Sequence, residues 1–203
     1  MRHNADELRT WCILLVTLVA CGLVTSCQTS SNQDDETWVD KTFHDVTYRV
    51  PPSWVEIRDG DSVQYKRRDI QMNQVSLHRY ETGETLPDSE MTVDPSREIW
   101  AYADAKFASL SEGPEHVRAE RKEQRRFPSL GKKSYLMKVR TMDVNGVSQR
   151  RWIIGALIDE YYYRVEISAE RFGHLPSIQE AYAKFKQSLE LTSKSQETNR
   201  SNQ

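Results

Sequence analysis

The chain has 203 residues, of which 29% are charged and 37% hydrophobic, with a formal net charge of −2 and a mean hydropathy of −0.73. This length corresponds to about one domain with tails, and five Trp, nine Tyr and five Phe supply the large side chains for one modest core. The net negative charge disfavours nucleic acid as a partner.

The N-terminal segment contains an apolar run from Trp11 to Val24, followed by Thr25-Ser26-Cys27 and a polar stretch. A transmembrane helix needs about 20 apolar residues, so a run of about 14 suits the core of a signal peptide better. An aliphatic residue, two small residues and Cys together resemble the cleavage site of a bacterial lipoprotein. This resemblance implies that residues 1–26 are a signal peptide and that Cys27 is lipidated, for example with palmitate, as a durable membrane anchor.

Two alternatives stay open: Leu18-Val19-Ala20-Cys21 matches the same pattern, and the segment could be an ordinary signal peptide or an uncleaved anchor. Cleavage at Cys21 would leave an exposed apolar start and an unpaired Cys27 thiol in an oxidising compartment, which favours Cys27. An acylated Cys27 leaves no free thiol, and this excludes disulfides, cysteine metal sites and cysteine nucleophiles. Enterobacteria-like lipoproteins retained at the inner membrane carry Asp after the cysteine. Gln28 therefore favours the outer membrane, facing the periplasm.

Composition divides the remaining chain into a tether, a domain and a tail. Residues 27–39 are predicted to be the acylated cysteine and a flexible tether, because the stretch after Cys27 is polar. Residues 192–203 are predicted to be a disordered tail for the same reason. The folded domain is expected over residues 40–191.

The first half of this domain alternates apolar and polar residues and is interrupted by turn signals. The pattern predicts strands from Phe43 to Val50, from Trp54 to Ile57, from Val63 to Tyr65 and from Gln71 to Tyr80.

A polar loop over residues 81–93 precedes the first predicted helix. Asp94 is a plausible N-cap and Pro95 suits the first helical position. Ile99, Ala103, Phe107 and Leu110 recur at helical spacing, and Gly113-Pro114 ends the segment.

The second half contains the strongest local signal of the sequence. Asn145-Gly146 predicts a hairpin between strands from Tyr135 to Val144 and from Val147 to Ile158. The second strand reads Trp-Ile-Ile-Gly-Ala-Leu-Ile without alternation, which indicates a central strand covered on both faces. A further strand from Tyr161 to Ala169 and a helix from Pro176 to Leu189 follow. We therefore expect an α+β fold, with an antiparallel β-sheet and helices packed on its faces as an α/β/α sandwich.

Two segments carry a resemblance to the PsbP/DcrB-like superfamily, over about residues 40–191. Tyr48-Arg49-Val50-Pro51-Pro52-Ser53-Trp54 resembles the family's opening motif, and residues 161–169 with Phe185 to Leu189 resemble its closing strand and helix. The resemblance implies a PsbP-like fold in a mostly non-enzymatic family. Its members stabilise larger complexes or bind apolar segments, and it offers no catalytic residue. Here the segment at Pro51 is better explained as a turn followed by a core anchor at Trp54.

The residues show no catalytic, metal or cofactor pattern. His44, His78, His116 and His174 are far apart, and none has a ligand partner at metal-binding spacing. No nucleophile-elbow, phosphate-loop or dinucleotide glycine motif is present. We therefore expect no enzyme activity, no cofactor and no metal.

Charge is the one uneven feature, because residues 116–151 contain eleven basic and three acidic residues. If these strands pair, the positive charges form a surface stripe facing an anionic group. The plainer alternative is a set of solvated strand edges on which Lys and Arg prevent aggregation. Period-2 alternation places Arg121 and Arg125 on one face, and Lys122 and Arg126 on the other. The candidate ligand-binding residues are Arg118, Arg121, Arg125, Arg126, Arg150 and Arg151.

Two functions fit these observations. The first is a membrane-anchored envelope lipoprotein with a non-enzymatic interaction or scaffold role toward a partner protein or complex. The second is a binding module for an anionic lipid or small ligand through the basic strands of residues 116–151. Either function involves the membrane through the N-terminal lipid.

Overall fold

The computed structural model describes residues 37–67, 70–112, 116–170 and 176–192. The predicted signal peptide, Cys27, His174 and the tail beyond residue 192 lie outside the described residues. Among the residues described, no helix is long and apolar enough to span a membrane.

The described chain forms ten strands, two α-helices and a short 3-10 turn, Pro128–Leu130. The strands are β1 Val39–Phe43, β2 Val46–Val50, β3 Trp54–Asp59, β4 Ser62–Arg67, β5 Ile70–Glu81, β6 His116–Arg126, β7 Ser134–Asp143, β8 Ser148–Ile158, β9 Tyr161–Glu170 and β10 Glu190–Leu191. The helices are α1, Ile99–Glu112, and α2, Pro176–Gln187.

The strands form two antiparallel sheets. The larger has seven strands in the order β3-β4-β5-β9-β8-β7-β6, and the smaller has three in the order β1-β2-β10. Strands β6 to β9 run as a meander, and β9 closes the sheet by pairing with β5. The prediction of an antiparallel sheet accompanied by helices is confirmed. The sequence did not indicate the small second sheet, so strands dominate the fold more than expected.

Strand β8 is central, as its unbroken apolar run predicted, and successive side chains bury on opposite faces. Ile153 and Leu157 belong to the apolar cluster that includes helix α1, so we call this side the α1 face. Ile154 and Ile158 belong to the cluster that includes α2 and the small sheet, which we call the α2 face. Two covered faces explain why this strand has no polar positions from residue 153 to residue 158.

Gly155 of β8 has no side chain, and the ring of Tyr135 fills the space that a side chain at this position would occupy. A Cβ atom there would lie 2.3 Å from Cε1 of Tyr135 and 2.8 Å from the Tyr162 hydroxyl. These two tyrosines are fully buried on the α1 face, and their hydroxyls are 2.9 Å apart. The glycine therefore permits the close packing of two aromatic side chains on neighbouring strands.

Trp54 anchors the α2 face, as the turn-and-anchor interpretation predicted. Its backbone N–H donates to the carbonyl of Pro51 at 3.1 Å, closing a turn. The indole is buried against Tyr182 and Phe185 of α2, at ring-centroid distances of 5.7 and 6.2 Å. Such aromatic contacts fix the helix on the sheet.

The first helix begins later than predicted. Asp94 accepts hydrogen bonds from the backbone and hydroxyl of Ser96, at 2.9 and 2.7 Å, and so caps a separate turn. The carbonyl of Asp94 accepts from the N–H of Arg97, and helix α1 starts only at Ile99. Asp and Ser side chains close such turns as readily as they cap helices, so the predicted first helical residue, Pro95, lies four positions before the observed one, Ile99.

Candidate functional site

The basic stretch of the sequence lies on three neighbouring strands, β6, β7 and β8, at one end of the large sheet. Strand β6 is the edge, and its register with β7 shifts between Arg121 and Glu123. Arg121 is opposite Val139, whereas Glu123 is opposite Lys138, so Lys122 is the extra residue of a β-bulge.

This bulge reverses the facing predicted from simple alternation. Arg126 is opposite Tyr135 and Arg121 is opposite Val139, and these two partners bury on the α1 face. Arg125 is opposite Leu136, which buries on the α2 face. Arg121 therefore shares a face with Arg126 and not with Arg125, contrary to the prediction, because one inserted residue inverts the period-2 pattern beyond it.

Three of the six candidate arginines lie on the α1 face and contact the domain itself. Arg121 lies 4.4 Å above the Phe107 ring and pairs with Asp104 at 2.9 Å. Arg126 lies 4.9 Å above the Trp100 ring and donates to a backbone carbonyl. Arg151 donates to the side chain of Gln149 at 3.0 Å. The first two guanidinium groups therefore fasten helix α1 to the sheet edge through cation–π contacts.

The other three candidates lie on the α2 face, where further cations join them. Arg118 aligns with Met142 and Arg140 with Arg150, all on the same face as Lys138. Lys186 of α2 stands near Lys138 and Arg125, whose charges act on its pKa. We call this set the basic patch: Arg118, Arg125, Lys138, Arg140, Arg150 and Lys186.

Two arginines of the basic patch are directly opposite each other. Arg140 on β7 and Arg150 on β8 are Cα partners, and both side chains are exposed. Like charges directly opposite on neighbouring strands destabilise a sheet. On its other side Arg140 is opposite Glu120, so a carboxylate already lies beside one member of the pair, and the two exposed guanidinium groups offer a further anion two adjacent cations.

Two carboxylates order the cations of the patch. Glu123 accepts from Arg125 Nε at 2.7 Å and contacts Lys138, and these hydrogen bonds lower its pKa. Glu120 contacts Lys122, and that hydrogen bond lowers its pKa. Burial lowers the pKa of Lys186, and the charges of Lys138 and Arg125 lower it further. Cations therefore remain in excess at this surface.

A second charged group, which the sequence reasoning missed, lies buried on the α1 face. Arg164 Nη1 donates to both carboxylate oxygens of Asp88, at 2.8 and 2.9 Å, and Arg164 Nε lies 3.0 Å from Glu166. Lys106 Nζ lies 2.9 Å from Glu166 and also contacts Asp88. Arg164 and Lys106 are 5% and 8% exposed. We call these four residues the ionic cluster.

The ionic cluster joins three parts of the chain. Asp88 comes from the loop between β5 and α1, Lys106 from α1, and the other two residues from β9. Burial alone would raise the pKa of Glu166, but the charges of Lys106 and Arg164 lower it more. Burial would also raise the pKa of Asp88, and the charges of Arg164 and Lys106 lower that pKa more. Two cations face two carboxylates, so the cluster fastens the loop to the sheet.

One feature of the sequence could have revealed the cluster. Arg164 and Glu166 are two positions apart in β9 and are flanked by apolar and aromatic residues from Tyr161 to Ile167, which places both charges on one face. Asp88 lies 76 positions before its partner Arg164, and Lys106 lies 60 positions before its partner Glu166, so no local pattern links them to β9.

The histidines that the structure describes do not converge. His78 stacks on Tyr80 at a ring-centroid distance of 6.1 Å, and burial followed by the charge of Arg164 lowers its pKa. His44 lies 3.1 Å from Asp61, which is in the turn between β3 and β4. No group of three or more His, Cys, Asp or Glu that could hold a metal occurs among the described residues.

Several solved structures resemble this chain. The solution structure of a cyanobacterial PsbP (CyanoP) from Synechocystis matches with a TM-score of 0.47 and 13% identity, covering 84% of this chain and 100% of that one. A mutant of the protein Mog1 matches with a TM-score of 0.45 and 9% identity, covering 76% and 94%. A Pseudomonas aeruginosa protein of unknown function matches with a TM-score of 0.44 and 9% identity, covering 72% and 91%.

No protein-family model and no curated protein matches the sequence. With TM-scores below 0.5, the structural likenesses assign neither a family nor an activity to the chain.

The ionic cluster generates a prediction about stability and pH. Asp88→Asn should lower the free energy of unfolding at pH 7 by about 1 to 3 kcal/mol, because it leaves buried cations without their carboxylate. Asp104→Asn is the matched control, since Asp104 is 63% exposed in its pair with Arg121 and exposed pairs contribute little. Urea unfolding of the three proteins measures the difference.

The same comparison has a defined pH dependence. The pKa of Asp88 is lowered in the folded state, so its contribution is complete above the unfolded value of about 4 and is lost as the pH falls below that value. The difference in the free energy of unfolding between the wild-type chain and Asp88→Asn should therefore decrease on acidification. A difference that stayed constant down to pH 3 would contradict the charged role of Asp88.

Proposed function

We propose that this chain is a non-enzymatic envelope lipoprotein, anchored through Cys27, whose domain docks an acidic partner protein on the basic patch. The observation that carries the proposal is the exposed pair of Arg140 and Arg150, directly opposite each other on β7 and β8. Two neighbouring guanidinium groups can both donate charge-assisted hydrogen bonds to a carboxylate of a partner.

The distribution of charges in the basic patch favours a protein partner over a lipid surface. Glu120 and Glu123 lie among its cations and would be repelled by a uniformly anionic membrane. A folded partner can present carboxylates to the arginines and a cation or hydroxyl to each glutamate. Such complementary patterns give specificity and speed association.

The ionic cluster supports a structural role and not a catalytic one. Its two cations and two carboxylates contact one another, and they join a loop, a helix and a strand. A general acid or base would need to exchange a proton with a substrate near neutral pH, whereas the pKa values of Asp88 and Glu166 are lowered. An envelope scaffold without cofactor or metal is consistent with this arrangement.

We infer a PsbP/DcrB-like domain, with α1 and α2 as the outer layers of an α/β/α sandwich, held on the periplasmic side of the outer membrane. The motif residues Tyr48 and Trp54, both buried on the α2 face, support this inference.

The anchor is tested by fractionation. Cys27→Ala should move the protein from the membrane to the soluble periplasmic fraction, because the acylated residue is lost, while Cys21→Ala should leave it membrane-bound. Immunoblots of the two fractions measure the distribution. The reverse pattern would place the mature start at Cys21.

The basic patch is tested by two pairs of substitutions that remove the same net charge. We expect Arg140→Ser with Arg150→Ser to weaken binding of the purified full chain to immobilised polyglutamate about tenfold, or about 1.4 kcal/mol. Arg121→Ser with Arg126→Ser should change binding little, since these side chains contact α1. Binding of the wild-type chain should also fall steeply with added salt.

Three outcomes would count against the patch. Equal losses in both double variants would indicate diffuse attraction by net charge, and no loss in either would favour solvated strand edges. Stronger binding to phosphatidylglycerol vesicles than to polyglutamate would favour the anionic-lipid alternative. Thermal unfolding of each variant separates loss of binding from loss of folding.

A further inference from the structure

The second edge of the large sheet, strand β3, differs in chemistry from the basic edge β6. In the described part of the chain, β3 ends the seven-stranded order and pairs only with β4. Val55 is 36% exposed and Ile57 46%, and they are two of the four exposed large hydrophobic side chains among the described residues. A six-residue edge strand with two exposed aliphatic side chains has the backbone groups and the apolar surface to pair with another strand.

The charges of this edge are arranged so that those of one copy of the strand can match those of a second copy. Glu56 and Arg58 flank Ile57, and their side chains lie on the same face of the strand, 3.3 Å apart. Glu56 also accepts from Lys41 at 2.9 Å and from the Tyr65 hydroxyl at 3.1 Å, so its carboxylate is held in place at this edge. In an antiparallel pair of two identical β3 strands centred on Ile57, Glu56 of each copy lies opposite Arg58 of the other. Opposite charges in this position stabilise a strand pair.

Neighbouring symmetric registers lack this match. A pair centred on Glu56 places two carboxylates directly opposite each other, and a pair centred on Arg58 does the same with two guanidinium groups. Both registers are disfavoured by like-charge repulsion. The register centred on Ile57 also brings the two exposed isoleucine side chains together.

We propose that β3 is a homodimerisation edge, at which two copies of this chain pair antiparallel about Ile57 and join their large sheets. The dimer has the two-fold symmetry that is commonest among oligomers. It leaves the basic edge β6 of both copies open at the two ends of the joined sheet. The proposal is independent of the partner proposed for the basic patch.

Disulfide trapping tests the register. In the proposed pair the two Cα atoms of residue 57 lie about 4.5 to 5.5 Å apart, within the range of about 4.4 to 6.8 Å that a disulfide bridges. The two Cα atoms of residue 55 are separated by four positions along the strands, roughly 13 to 14 Å. Ile57→Cys should therefore crosslink rapidly under mild oxidation, and Val55→Cys, its matched control, should not.

The experiment uses the purified full chain in a mild detergent, with Cys12, Cys21 and Cys27 replaced by Ser so that the introduced thiol is the only one. Covalent dimer is measured by non-reducing electrophoresis. The substituted side chains are exposed, so folding should be retained, and thermal unfolding verifies this. Absence of the residue-57 dimer, or equal crosslinking at residue 55, would overturn the proposal.

A charge swap tests the Glu–Arg pairs in the same background. Adding Glu56→Arg to Ile57→Cys should slow crosslinking at least several-fold, because arginines then face each other across the interface. Adding Arg58→Glu as well should restore the rate, since the opposite charges are exchanged and still match. Failure of this rescue, with both variants folded, would contradict the register even if crosslinking at residue 57 is seen.

Discussion

The structure depends on one constraint, the burial of strand β8 on both faces. Its side chains alternate between the cluster under α1 and the cluster under α2 and the small sheet. Because β8 admits no polar side chain from residue 153 to residue 158, its own charged residues, Arg150 and Arg151, lie near its N-terminal end. Gly155 shows how tight this packing is, since the ring of Tyr135 occupies the space of a side chain.

The bulge in β6 determines which cations are available to a partner. Without it, Arg121 and Arg125 would share a face. With it, Arg121 and Arg126 both fold over aromatic rings of α1, while Arg125 joins Lys138 and Lys186 on the opposite side. A single inserted residue therefore separates cations that fasten the helix from cations that face outward.

The sequence predicted what depends on local pattern. Local residues predicted three features correctly: the hairpin at Asn145-Gly146, the central strand β8 and the turn before Trp54. Each of these is encoded by residues close together in the chain. The bulge, the ionic cluster and strand β10 were not, since they arise from pairing between distant segments: Asp88 meets Arg164, and Leu191 pairs with Val46. The late start of α1 was missed because Asp94 closes a turn with the same side-chain hydrogen bonds that cap a helix.

Among the arginines of β6, β7 and β8, only those on the α2 face are proposed to meet an acidic partner. Nuclear magnetic resonance of the arginine Nε–H groups, recorded while polyglutamate is added to the full chain, observes each guanidinium separately. We expect the resonances of Arg125, Arg140 and Arg150 to shift and those of Arg121 and Arg126 to stay unchanged. Equal shifts on both faces, or larger shifts at Arg121 and Arg126, would contradict the proposed role of the α2 face.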